Sequence, residues 1–216
     1  MYCKNSLYIC LLNDRYVFTM SDTREYIIDQ AYGLFLSRSY EAVSISEISK
    51  AIGLTKGALY HHFRNKEELF MAVIDKNIKI DELNFDPENI TLLNYIELCQ
   101  KKAKEIVSAT FSNNPAYIPH NLLALFIDAF RHYPGFADRR ENLIQSEIAK
   151  TKKVLDRAVE RGEIREDINT SMMAEIFFTL NTGVARSLIH SNMNQKLAIK
   201  QLRSQFQELY KLMVKT

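Results

Sequence analysis

The stretch from Ser44 to Glu68, SISEISKAIGLTKGALYHHFRNKEE, constrains the fold more tightly than any other part of the chain. Ser44 followed three residues later by Glu47 has the form of a capping box, so a helix is expected from about Ile45. Ile45, Ile48 and Ile52 keep a 3–4 spacing that gives this helix one apolar face, and Gly53 can take the left-handed backbone that ends it. Leu54 then plugs a tight turn, and Thr55 caps a second short helix in which Leu59 and Phe63 point into the same small core. The other side of that second helix carries Lys56, Gly57, Tyr60 and His61. Asn65 followed by Glu68 repeats the cap pattern, so a third helix begins at about Lys66.

Charge distinguishes this hairpin from an ordinary one. No acidic residue stands between Glu47 and Glu67, whereas Lys50, Lys56, Arg64 and Lys66 supply four cations there and His61 and His62 add partial charge. The whole chain carries a formal net charge of only +2. The basic island is therefore local, and a phosphate backbone is its natural partner.

The run from Ile48 to Leu69, ISKAIGLTKGALYHHFRNKEEL, closely resembles the DNA-binding domain of the TetR family of bacterial transcriptional regulators. The resemblance extends back through the amphipathic segment Asp22 to Ser37 and forward to about Ile74, roughly a quarter of the chain. Beyond it only the layout is similar. Ser39 stands where many members have glycine. Ile45 stands where members often carry a phosphate-binding threonine, which leaves Ser44 to do that work alone or not at all. The resemblance implies a reading helix in the major groove, with Tyr60, His61 and Lys66 clamping the phosphate backbone. Thr55 and Ser44 can add hydroxyl contacts in competition with their capping roles. Lys56 is the candidate for a base edge, since an ammonium donates to guanine N7 and O6. Gly57 lets the backbone approach closely. His62, about 100° around the helix from His61, is expected to pack rather than to face DNA.

Gly 6 and Pro 4 in 216 residues argue for long helices and against a turn-rich sandwich or barrel. An all-α fold is the consequence. Cys3, Cys10 and Cys99 form no metal-ligand spacing and read as reduced thiols of a cytoplasmic protein. No apolar run approaches the ~18 to 20 residues that span a bilayer. An enzyme is the competing class, but adjacent helical residues such as His61 and His62 diverge. No phosphate loop, nucleophile elbow or cluster with ligand spacing accompanies them. No catalytic residue, metal or cofactor is expected.

Along the chain, residues 1–19 fit poorly with the helical pattern that begins at Met20 and are expected to be a poorly ordered N-terminal extension. Residues 20–66 form the helix-turn-helix head, with Ile27, Ala31, Leu34 and Phe35 on the inner face of a first helix capped by Ser21 or Asp22. Residues 67–216 form a helical body for effector binding and dimerisation, entered through a linker helix at 67–81. The body's first helix carries Leu92, Ile96, Cys99, Ala103, Ile106 and Thr110. Asn113-Asn114-Pro115 breaks it, a helix holding Leu122 to Phe130 comes next, and the longest helix runs from about Ala137 to Arg161 and stops at Gly162. Interleaved charges on that longest helix read as a solvated face. In the last two helices Met173, Phe177, Leu180 and Val184 step 4-3-4, while Ile199, Leu202, Phe206, Leu209 and Met213 step 3-4-3-4. A helix pair inside one chain could satisfy one seam each, but a second subunit fits better: two such pairs would make an isologous four-helix interface, where the family resemblance also puts the dimer contact. Tyr95, Cys99, Thr110, Tyr117, His120, Phe126, Asp128, Phe130, Phe177 and Asn181 have the mixed character of a ligand pocket, or of a core with satisfied polar groups.

The function expected from these residues and the resemblance is a ligand-responsive regulator. It is usually a repressor in this family and binds a palindromic double-stranded operator as a homodimer. It answers to a small, partly hydrophobic effector and has no membrane association. The alternative is a ligand-independent architectural or adaptor protein of the same fold.

Overall fold

The computed structural model describes residues 20–78, 83–110, 119–190 and 195–215. Among them the protein is all-helical: α1 Met20–Ser37, α2 Ile45–Ile52, α3 Lys56–His62, α4 Lys66–Asn77, α5 Leu92–Thr110, α6 Pro119–His132, α7 Phe136–Glu160, α8 Thr170–His190 and α9 Gln195–Met213. The expected N-terminal extension lies outside the described residues. No described helix is long and apolar enough to cross a membrane.

The chain divides into two compact units, one holding α1 to α4 with Asn121–Pro134 and the other holding α5, α7, α8 and α9. Sequence patterning placed α4 and residues 121–134 with the body; here they pack with the head. In this first unit Ile27, Ala31, Phe35, Ile48, Ile52, Leu59, Phe63, Leu69, Phe70 and Val73 are buried, as the apolar spacings required. Leu125 and Ala129 of α6 are buried as well. Polar ties set the angles between helices. Arg38 at the end of α1 donates to Glu47 Oε1 at 2.8 Å and to the Ala42 carbonyl at 2.7 Å, holding α2 against it. Lys76 of α4 reaches Glu25 at 2.7 Å and Asp29 at 2.6 Å on α1. Hydrogen bonds to Asp29 and then Glu25 hold its ammonium more firmly protonated than usual.

In the second unit α7 packs on α8, α8 on α9 and α5 on α9. A file of aromatic rings runs through it: Phe85 to Tyr95 at 5.1 Å, Tyr95 to Phe177 at 6.0 Å and Phe177 to Phe206 at 5.2 Å between centroids. The segment before α5 is fastened to the tail of α7. Arg157 donates to Glu88, Arg161 to the Ile90 carbonyl at 2.7 Å, and the Leu92 amide to Glu163 Oε2 at 2.9 Å. On α7 the expected solvated face is present as Lys150–Glu147, Lys152–Asp156 and Arg157–Glu160 pairs. The more exposed of these, Lys152–Asp156 and Arg157–Glu160, each contribute little, while Lys150–Glu147 is half-buried.

One expectation is corrected. Phe177, Leu202, Phe206 and Met213 were assigned to a dimer seam, but each is at most 1% exposed within the single chain. Met173, Leu180, Ile199 and Leu209 pack half-buried around the same core. Periodicity identified an apolar seam correctly; the seam is filled by helices of its own chain. The side chain of Val184 lies outside the described residues.

Candidate nucleic-acid interface

The α2–α3 hairpin is built as its caps require. Ser44 has extended backbone, its Oγ accepts the Glu47 amide at 3.2 Å, and Glu47 Oε2 accepts the Ser44 amide at 2.9 Å. Gly53 ends α2 at φ 71° with open space where a Cβ would stand, so the backbone angle alone demands glycine. Thr55 Oγ1 accepts the Ala58 amide at 3.2 Å and starts α3. Asn65 Oδ1 accepts the Glu68 amide at 2.7 Å and starts α4, while the returning Glu68 carboxylate takes the Arg64 amide at 2.8 Å.

These bonds sort the expected contact residues. Ser44 Oγ also donates to Glu47 Oε2 at 2.8 Å. Its single proton and its amide are both engaged in the capping box, so a phosphate contact from Ser44 would compete with the cap. Thr55 only accepts in its capping bond, which leaves its proton to donate. Lys56 and His61 are exposed, and Tyr60 is 50% exposed. Leu59 behind them is wholly buried, so α3 is anchored by one face and offers the other. At Gly57 an added Cβ would meet nothing nearer than Thr55 Oγ1 at 3.9 Å. Packing within the chain therefore does not require this glycine, which fits close approach by something outside. His62 is half-buried. Burial, then His61 and Arg24, push its pKa down, which favours the neutral ring. That matches packing rather than phosphate contact. Arg24 of α1 lies over the Phe63 ring at 4.8 Å.

Lys66 is half-buried, not free. Its Nζ donates to the Tyr40 carbonyl at 3.0 Å and lies 4.0 Å from the centre of the Tyr40 ring. Tyr40 in turn stacks on His132 of α6 at 4.2 Å and meets Phe70 edge-on at 4.8 Å. Sequence reasoning missed Tyr40 because its partners are far away in the chain.

Glu47 makes the hairpin sensitive to acid. The Ser44 amide, Arg38 and the Ser44 hydroxyl lower its pKa from 4.5 to about 2. A carboxylate held below its unfolded value stabilises the fold above that value and loses the contribution as pH falls toward the folded one. Between pH 4.5 and 2 the urea midpoint of the wild-type protein is expected to fall. In Glu47→Gln this part of the decline should be absent. Parallel pH curves for the two proteins would dismiss the role given to Glu47.

The described effector candidates fall in both units. Tyr95, Cys99 and Phe177 meet in the core of the second unit, with Asn181 hydrogen-bonded to Cys99. Tyr95 and Thr151 share a hydrogen bond of 2.6 Å. Burial pushes the Cys99 thiol up to about 11 and raises the Tyr95 phenol, so both stay protonated at neutral pH. Phe126, half-buried, and Phe130, 47% exposed, lie on α6 in the other unit. Asp128 is buried there and accepts the Tyr40 amide at 2.7 Å. Tyr117 and the side chains of Thr110 and His120 fall outside the described residues. Among the described residues no three His, Cys, Asp or Glu side chains group as a metal site.

Comparison with known proteins agrees with this geometry. Residues 27–73 match the family described as bacterial regulatory proteins, tetR family, and residues 110–197 match the tetracyclin repressor-like C-terminal domain. The HTH-type transcriptional regulator UidR of Escherichia coli (strain K12) is 27% identical over 164 residues, 75% of this chain and 79% of the relative. SrpR of Pseudomonas putida, also an HTH-type transcriptional regulator, is 24% identical over 189 residues, 83% and 81% of the two chains. In fold, the chain is similar to NalD of Pseudomonas aeruginosa, the secondary repressor of the MexAB-OprM multidrug efflux pump. The TM-score is 0.61 at 18% identity, covering 90% of this chain and 98% of that one. With both the reading hairpin and the C-terminal helices matched to it, this chain belongs to the TetR family and is a DNA-binding transcriptional regulator, not an enzyme.

Proposed function

We propose that the protein is a repressor that binds a palindromic operator as a homodimer and releases it when a small molecule occupies the helical body. The observation that carries the DNA half is the outer face of α3. Lys56, Gly57, Tyr60 and His61 are exposed there, with no carboxylate in the chain between Glu47 and Glu67 to repel phosphate. Tyr60, His61 and Lys66 hold the backbone, Thr55 adds a hydroxyl, and Lys56 reads a base edge. A two-turn reading helix touches few bases, so specificity calls for two heads spaced by roughly 34–36 Å.

For the second subunit, α8 and α9 remain the proposed contact, but through a different face from the seam filled in the core. Met172 is 54% and Ile176 37% exposed one turn apart on α8, and Leu212 is 70% exposed near the end of α9. Apolar side chains left in water on adjacent helices are what an isologous contact would cover. Met172→Glu combined with Ile176→Glu is expected to stay folded, sediment as a monomer and lose selective binding to a two-half-site operator. That operator is obtained by selecting fragments from a random DNA pool. A folded double variant that still sediments as a dimer would exclude this face.

A ligand-independent regulator is the second reading, and one observation favours it. Among the described residues, every buried side-chain polar atom has a partner. Tyr95 bonds Thr151, and Cys99 bonds Asn181 and Tyr95, so these polar groups satisfy one another. Mass spectrometry of the purified protein under native conditions separates the readings, since a small hydrophobic compound retained by the body supports the responsive one.

A further inference from the structure

Asp128 is a buried carboxylate on α6 that no DNA contact and no ligand explains. Its Oδ2 accepts the Tyr40 amide at 2.7 Å, across 88 positions of sequence. Tyr40 occupies the turn between α1 and α2, and the residue is held on several sides. Its ring stacks on His132 at 4.2 Å and on Phe35 at 5.9 Å, both near parallel, and meets Phe70 edge-on. His132 itself lies 3.5 Å from Glu41. The same Tyr40 presents its carbonyl and its ring to the Lys66 ammonium. One residue thus takes a carboxylate on its amide and a cation on its carbonyl.

We propose that Asp128 is a positioning residue for DNA binding, fixing the Tyr40 peptide and ring so that Lys66 is held where it meets the phosphate backbone. Lys66 carries three ammonium donors, of which the Tyr40 carbonyl takes one. The remaining two are available to phosphate, from a side chain whose freedom has already been restrained. A long lysine otherwise loses rotamer entropy when it is fixed. A charged acceptor suits this task, because charge-assisted bonds to a backbone amide are shorter and stronger than neutral ones. Removing the carboxylate loosens the Tyr40 backbone at its amide, and with it the carbonyl on which Lys66 is held. The inference rests on the DNA-clamping role proposed for Lys66.

Operator affinity against salt concentration tests it in the full-length protein, using wild type, Asp128→Ala, Lys66→Ala and the double variant. Giving up one neutralised phosphate lowers the slope of log affinity against log salt by about 0.9. Asp128→Ala is expected to lower the slope as much as Lys66→Ala does, and the double variant no further. An unchanged slope in folded Asp128→Ala, or a double variant that loses the sum of the two, overturns the proposal. A second readout needs no DNA. The Lys66 methylene protons beside the Tyr40 ring should be shifted by its ring current. In Asp128→Asn, which folds more readily because the amide oxygen still accepts, that shift is expected to shrink as the Tyr40 amide exchanges faster. A faster-exchanging Tyr40 amide with unmoved Lys66 signals overturns the link, whereas a wild-type protein that ignores duplex DNA refutes only the clamping role.

Discussion

Replacing Phe206 by aspartate is expected to unfold the helical body formed by α5, α7, α8 and α9. The ring is wholly buried and stands 5.2 Å from Phe177, itself wholly buried near the end of the aromatic file that begins at Phe85. Truncating a buried Phe costs about 3–5 kcal/mol through lost burial and the cavity left behind. An unpaired carboxylate in that cavity adds several kcal/mol more, or forces water into it. Since whole domains are stable by only about 5–15 kcal/mol, the body cannot absorb the sum. Near-UV circular dichroism should be lost and cooperative thermal unfolding should disappear, while Phe206→Leu retains both with a lower midpoint. Wild-type unfolding behaviour in Phe206→Asp would mean that the ring is not in the core.

The second large effect falls on DNA. Lys50 at the end of α2 and Arg64 between α3 and α4 are exposed and flank the reading helix on both sides. Lys50→Ala combined with Arg64→Ala is expected to lower the salt slope by about 1.8 for each bound head. Every sequence should be affected alike, because phosphates carry no base identity. Lys56→Ala should differ in kind, relaxing preference at one symmetric base position by roughly 1–3 kcal/mol. If the pair of flanking substitutions changed base preference and Lys56→Ala did not, the assignment of roles would have to be reversed.

The hairpin was legible in the sequence because its determinants are local. A cap, the residue three places on and a left-handed glycine fix α2 and α3 within a short stretch of chain, and the structure places Ser44, Gly53 and Thr55 as that logic demands. Ser44 shows the limit of the same logic. Its capping bonds could be foreseen, but Arg38 closing over Glu47 from α1 and fixing the box could not. The α8–α9 seam shows another limit. A heptad spacing says that a helix needs an apolar neighbour and is silent on whether the neighbour belongs to the same chain. Asp128 shows a third. Three residues from Arg131 it had the spacing of a local ion pair, yet its partner is a backbone amide 88 positions away, and an amide carries no signature in composition.

Glu163 lies just past the end of α7, yet it supplies an acceptor for the first amide of α5, 71 positions earlier. Arg161 binds the carbonyl of Ile90 in the same arch, and Arg157 binds Glu88. The opening turn of α5 is thus written in two places in the chain. A chimera that takes residues 84–110 from one relative and residues 136–163 from another would separate the donor from its acceptor even with both helices intact. The interchangeable module of this body is not a helix or a contiguous segment, but the arch before α5 together with the tail of α7.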